Sequence, residues 1–203
     1  MPSTKILSLS FRGFRNLQET TIEFNDINII HGANGSGQSS LLEALYYLVH
    51  AKSFRTNHLN NLVQDTCKEL MLFSRVQTHH GPANIGISRT ESGDVDTKYN
   101  QGKESPSFIC KQVPMLYIDN NCYHYFTNGP HARRQFLNWG LFHMKHHFQT
   151  QWRNYNQTLK QRNACLKQRA SSSIIASWDQ ALITLCEEIH EIREAYVKAL
   201  TPI

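Results

Sequence analysis

Gly32, Ala33, Asn34, Gly35, Ser36, Gly37, Gln38, Ser39 and Ser40 follow one another in an order suited to holding a phosphate. The run fits the pattern G-x-x-x-x-G-K-[ST] except at one letter, since Gln38 stands at the lysine position. Glycines let the backbone approach an anion, and amide N–H groups at the start of a following helix point at it. In this pattern Ser39 is the expected Mg²⁺ ligand, and the lysine reaches the β- and γ-phosphates. Glutamine donates a hydrogen bond but brings no charge. Hydrogen bonds to charged groups contribute roughly 1.5–3 kcal/mol, so the expected cost is about one to two orders of magnitude in affinity. Transition-state stabilisation should suffer more, because the lysine offsets charge that develops there.

Such a loop needs a strand before it and a helix after it. The apolar run at 27–30 predicts the strand, and the amphipathic run at 41–49 predicts a helix ending near His50. Residues 5–11 and 20–24 predict two earlier strands, with Phe14, Arg15 and Asn16 in the turn between them. Residues 59–63 suit one helical turn. Residues 69–76 and 83–90 predict a hairpin, 97–100 a further strand, 102–107 a loop and 113–118 a short strand. The character then changes. Pro130 opens a helical pattern, a longer helix is expected over 145–169, and a third over 174–200. A β-rich half, 1–113, is thus expected before an all-helical half, 114–203. Phe148, Trp152 and Tyr155 fall at helical spacing and read as core, and Glu43 reads as a solvated helix residue.

Of the 203 residues 40% are hydrophobic, and the net charge is +5. No apolar run reaches membrane-spanning length, and the N-terminus lacks a signal-peptide core, so a cytoplasmic protein without membrane contact is expected. The five cysteines form no C-x-x-C pair, which argues against a zinc site or disulfide framework. His143, His146 and His147 could approach a metal, but solvated surface histidines are the expectation. Charge distribution says more than the total. No acidic residue falls between Asp119 and Asp179, a stretch that holds Arg133, Arg134, Lys145, Arg153, Lys160, Arg162, Lys167 and Arg169. A long acid-free basic segment is the footprint of a polyanion partner. Nucleic acid is favoured over a merely solvated basic helical face, and the candidate contacts to it are Arg133, Arg134, Lys145, Arg153, Lys160 and Lys167.

Taken together these residues resemble the RecF recombination-repair family of SMC/ABC-type ATPases. Leu9-Ser10-Phe11-Arg12-Gly13-Phe14-Arg15-Asn16-Leu17 is similar to the family's first strand and Phe-Arg-Asn turn. Residues 32–46 resemble its Walker A loop and helix, and Ser53-Phe54-Arg55 the segment after it. Asn128-Gly129-Pro130 with Arg133-Arg134-Gln135-Phe136-Leu137 resembles its G-x-P-x-x-R-R-x-F-L stretch, and Gln161-Arg162-Asn163-Ala164 its Q-R-N helix. Departures stand at Gln38, at Asn120-Asn121 where Pro-Glu is usual, and at Asn138 where aspartate is usual.

The resemblance implies an α/β fold: a P-loop NTPase (ABC/SMC-like) β-rich lobe followed by an all-helical lobe. It implies ATP with Mg²⁺ as cofactor; Arg15 and Asn16 are expected either to touch the nucleotide or to form a structural turn only, and Asn34 is a candidate for the γ-phosphate side. Single-stranded and gapped DNA, RecR- and RecO-type partners, and an ATP-dependent homodimer are the implied partners, in DNA replication, repair and the SOS response. The family's S-G-G-Q signature and Walker B pair do not occur in the 203 residues. The expectation is a fragment, truncated product or degenerate paralogue that lacks the C-terminal part of the ATPase lobe and is defective in hydrolysis. The competing reading is a non-enzymatic remnant or protein-interaction module. A metabolic P-loop kinase fits poorly, because the second half offers neither a lid nor an arginine set for a substrate.

Overall fold

The computed structural model describes residues 4–119, 127, 129–145 and 147–201. It divides into two compact units, Met1–Tyr117 and Ile118–Ile203. Asn120, Asn121, Asn128 and His146, named above, lie outside the described residues, as does Cys122, one of the five cysteines.

Two-residue alternation builds the first unit. In β3 (Glu69–Thr78), Leu70, Leu72, Ser74, Val76 and Thr78 are buried while Met71 and Phe73 face out. β4 (Gly81–Thr90) returns after the His79-His80 turn with Ala83, Ile85 and Ile87 inward. β1 (Lys5–Arg12) lies on the other side of β3, and β2 (Thr20–Glu23) beyond β1. β5 (Val95–Tyr99) and β6 (Gly102–Lys103) complete an antiparallel sheet of order β2-β1-β3-β4-β5-β6. Its inner face meets α1 (Gln38–His50), whose Leu41, Ala44, Tyr47 and Leu48 repeat every three or four residues. The core also takes in Ile109 of α2 (Pro106–Gln112) and Leu62 of a 3₁₀ turn at Leu59–Leu62.

The second unit holds α3 (Gly129–Met144), α4 (Phe148–Lys167) and α5 (Ser172–Leu200). Leu141, Phe148 and Ile189 are its buried centre, flanked by Trp152, Tyr155, Ile192 and Tyr196. Phe148 and Trp152 stack at 6.2 Å, and Trp152 and Tyr155 at 5.4 Å. The aromatic stripe of α4 is therefore core. Arg162 pairs with Asp179, and Arg193 lies 5.5 Å from the centre of the Trp152 ring.

Four expectations are corrected. Residues 27–30 form no strand: among the described residues nothing pairs with them, and Asn28 instead exchanges hydrogen bonds with the Asn25 backbone at 2.9 and 2.8 Å. Residues 113–118 form no strand either. Pro114 lacks an amide donor, and Tyr117 stacks on Phe54 at 4.0 Å. Residues 106–112, with no element expected beyond the loop, form α2, capped by Ser105, whose hydroxyl accepts from the Phe108 amide at 3.2 Å, with Pro106 in the first turn. His143 is not a solvated histidine. It sits half-buried between the rings of Trp139 and Phe142, and burial pushes its pKa down.

Candidate phosphate-binding site

The turn after β1 and the loop before α1 are built as one piece. Asn16 joins them: its amide donates to the Gly35 carbonyl at 2.9 Å, and its side-chain oxygen accepts from the Ser40 hydroxyl at 2.7 Å. Gly35 and Gly37 take φ values of 83° and 100°, which favour glycine. A side chain at Gly37 would also stand 2.8 Å from Leu17. Gly37 precedes the first turn of α1, and no side chain caps that turn. Its amides are the uncapped N-terminal donors that an anion satisfies. Ser39 is exposed there, while Ser40 is buried.

These residues line a cleft of about 660 Å³ together with Arg15, Arg55, Asn61 and the segment 63–66. Gly32, Ala33, Asn34 and Ser36 belong to the exposed part of the loop, outside the lining. Gln38 turns its amide back onto the Gly32 carbonyl at 2.9 Å. Residue 38 thus ties the loop to itself, and guanidinium groups line the cleft.

Arg15 and Arg55 meet on Glu43. That carboxylate is 0% exposed, which corrects the expectation of a solvated helix residue. Arg15 donates from Nε to Oε2 at 3.0 Å and from Nη2 to Oε1 at 2.9 Å, and from Nη1 to the Asn61 carbonyl at 3.1 Å. Arg55 reaches Oε2 at 3.3 Å, and the Ser53 hydroxyl donates to Oε1. Burial alone would push the Glu43 pKa up; the bonds from Arg15 and Ser53 and the two arginine charges outweigh it and hold the carboxyl below its ordinary value. Sequence reasoning missed this triad because burial of Glu43 follows from tertiary packing. The acidic residue between Leu42 and Ala44, on the buried side of the helix pattern, was the available signal.

The uncapped helix, the glycine loop, the exposed Ser39 and two arginines fit a magnesium-bound polyphosphate. The lysine of the pattern is the part that is missing.

The basic candidates lie in the second unit, and all six are exposed. Arg133 and Arg134 belong to α3, and Lys145 follows it. Arg153, Lys160 and Lys167 share one face of α4, since a seven-residue step falls only about 20° short of two full turns. Exposed Asn156 and Asn163 lie between them. Asn138, where the resembled family has aspartate, accepts from Arg193 Nε and Nη2 at 3.0 and 2.8 Å. Burial, and then the charge of Arg134, push the Arg193 pKa down. Among the described residues no cluster of metal-ligating side chains occurs, and no helix is long and apolar enough to cross a membrane.

Comparison with known proteins identifies the family and the fold. The RecF/RecN/SMC N terminal domain family matches residues 5–121. A "DNA replication and repair protein RecF" from Pseudoalteromonas translucida (strain TAC 125) is 41% identical over 194 residues, covering 93% of this chain and 53% of that protein. The protein of the same name from Haemophilus ducreyi (strain 35000HP / ATCC 700724) is 36% identical over 205 residues, covering 100% and 56%. The chain spans about half the length of the curated relatives it matches. A solved structure of the recombination mediator protein RecF with ATP superposes with a TM-score of 0.85 at 24% identity, over 97% of this chain and 54% of that one. An SMC ATPase structure superposes at 0.56 and 17% identity, over 66% of this chain and 98% of that one. The fold is therefore that of a RecF/SMC-type P-loop ATPase lobe. The chain belongs to the RecF/RecN/SMC N terminal domain family and corresponds to an N-terminal portion of RecF.

Proposed function

We propose that this chain is the nucleotide- and DNA-binding N-terminal part of a RecF-type replication and repair protein, with ATP and Mg²⁺ held in the cleft at residues 32–40. The observation that carries the reading is the uncapped start of α1 behind the glycine loop, in a cleft that Arg15 and Arg55 also line. Amides 38–40 and the two guanidinium groups would take the phosphates, and the Ser39 hydroxyl the metal. Bound Mg²⁺ supplies charge neutralisation between the phosphate oxygens. Calorimetric titration with Mg·ATP tests this: saturable binding that Ser39→Ala weakens supports it, and no binding to the wild-type chain overturns it.

Turnover is a separate matter. Gln38 brings no charge to the transition state, and its amide is engaged by Gly32. The chain should hydrolyse ATP no faster than background. Saturable turnover that Ser39→Ala abolishes would sink that statement.

For DNA, the supporting observation is the Arg153, Lys160 and Lys167 face of α4, whose charges recur about every 10 Å along the helix. Affinity for single-stranded or gapped DNA should fall steeply with salt, and Lys160→Ala should reduce the logarithmic slope by about 0.7–0.9. An affinity indifferent to salt overturns the reading. A solved RecF structure described as belonging to the RecFOR pathway and an SMC ATPase structure described by ATP-driven dimerization support RecR- and RecO-type proteins, and a second copy of the chain joined through ATP, as the proposed partners.

The second reading, an interaction module with no nucleotide cycle, is favoured by the Gln38–Gly32 bond alone. Light scattering with ATP on the wild type and on Gln38→Lys separates the two. ATP-dependent dimers in either support the first reading, and monomers in both support the second.

A further inference from the structure

Glu43 is the only buried acidic side chain among the described residues. A buried carboxylate persists only where paired and hydrogen-bonded, and what surrounds this one is drawn from three separate stretches of chain. Arg15 comes from the turn after β1, where it holds a positive φ of 51° and donates its backbone amide to the Leu62 carbonyl at 2.8 Å. Ser53 and Arg55 come from the segment after α1, which the Ser53 hydroxyl stiffens by accepting from the amides of Arg55 and Thr56 at 2.9 and 3.0 Å. Asn61, on the 3₁₀ turn, takes the remaining side of the Arg15 fork.

The two arginines are held differently. Arg15 spends three of its nitrogens on fixed acceptors, two of them on Glu43. Arg55 touches Glu43 once, at 3.3 Å, and its side chain is 45% exposed. Both line the cleft beside the glycine loop, where residue 38 brings no cation.

We propose that Glu43 is the positioning residue of this cleft: its carboxylate fixes Arg15 and tethers Arg55 so that a polyphosphate meets two aimed guanidinium groups. This deepens the nucleotide reading above and rests on it. The alternative is that cleft charge alone matters, and the two ideas differ in sign. Replacing Glu43 by glutamine removes a negative charge beside the site. If total charge governed affinity, polyphosphate binding would tighten. If aim governs, binding weakens despite the added net positive charge.

The test is calorimetric titration of the full chain and its Glu43→Gln and Glu43→Asp variants with Mg·ATP and, separately, with adenosine. Glu43→Gln should weaken Mg·ATP by about tenfold or more and leave adenosine unchanged. Glu43→Asp, which keeps the charge but shortens the reach, should fall between it and the wild type. Unchanged or tighter Mg·ATP binding overturns the proposal, as does an equal loss for both ligands with a lowered melting temperature, which marks a merely structural role. A second measurement needs no nucleotide. The Arg15 Nε–H should exchange slowly in ¹⁵N NMR spectra of the wild type and rapidly in Glu43→Gln. Rapid exchange in the wild type overturns the clamp even if ATP binds. Failure of the wild type to bind ATP, with Arg15 protected, overturns the nucleotide reading and leaves the clamp standing.

Discussion

Gln38 stands at the start of α1, where the phosphate pattern has lysine, and Glu43 lies more than one turn further along the helix. Gln38 closes the loop on itself by donating to Gly32, so no cation stands where the phosphate pattern has one. Restoring it should matter in proportion to one charged hydrogen bond. Gln38→Lys is expected to tighten Mg·ATP by about ten- to a hundredfold in calorimetric titration. An unchanged affinity would mean that Arg15 and Arg55 already satisfy the phosphates. Glu43 has a signature in acid. Its folded pKa is held below the ordinary value of 4.5. A carboxylate depressed in this way stabilises the folded state above its unfolded pKa, and the stabilisation disappears as pH falls through the folded one. Glu43 should therefore leave the melting temperature flat from about pH 7 to pH 5 and lower it below about pH 4.5. Glu43→Gln should start lower at neutral pH and lose less over that acid range. Parallel pH profiles for the two proteins, followed by circular dichroism, would contradict this.

Among the elements, α3 approaches α5 closely at Gly140. A side chain on Gly140 would collide with Tyr196 Oη and lie 2.6 Å from its Cζ, so the tyrosine ring packs into the space that a missing side chain leaves. Gly140→Ala should destabilise the second unit by about 1–3 kcal/mol, the usual cost of overpacking. In a Tyr196→Leu background the same change should cost little, and a double-mutant cycle by chemical denaturation would measure that coupling. Equal costs in both backgrounds would refute the clash. What sequence reasoning could see of such elements follows from what each one depends on. The β3–β4 hairpin and α1 were legible because Leu70, Leu72 and Val76, or Leu41, Ala44 and Leu48, carry their periods locally. Helix α2 was not, since seven residues hold too little period, although Ser105-Pro106 was a readable cap. Ile27 and Ile29 have strand-like spacing, but a strand also needs a neighbour, which no local pattern reports. The glycine loop was legible as a motif. The burial of Glu43 between two arginines was not, because it is made by segments 28 and 12 residues away.

Over the described residues, exposed charge and exposed apolar side chains offer two different routes to association. The basic, acid-free stretch occupies α3 and α4, while acid returns on α5 at Asp179, Glu187, Glu188, Glu191 and Glu194. Association through that stretch should weaken with salt, as screened charge does. Apolar side chains are exposed in both units, and most fully at two isoleucines of the first. Ile27 is 84% exposed and Ile29 86%, on a segment that runs into the glycine loop and has no strand partner among the described residues. Large apolar side chains on an unpaired backbone invite pairing with another chain. The isolated chain should therefore self-associate through this segment, more strongly in sulfate, which favours burial of apolar surface. Changing Ile27 and Ile29 together to serine should reduce scattering at high protein concentration while leaving stability within about 0.5 kcal/mol, because neither side chain is buried. Scattering that falls on adding sodium chloride and ignores the double substitution would assign the association to the basic helices instead. Scattering that the substitution abolishes, with DNA affinity intact, would assign it to the segment beside the loop.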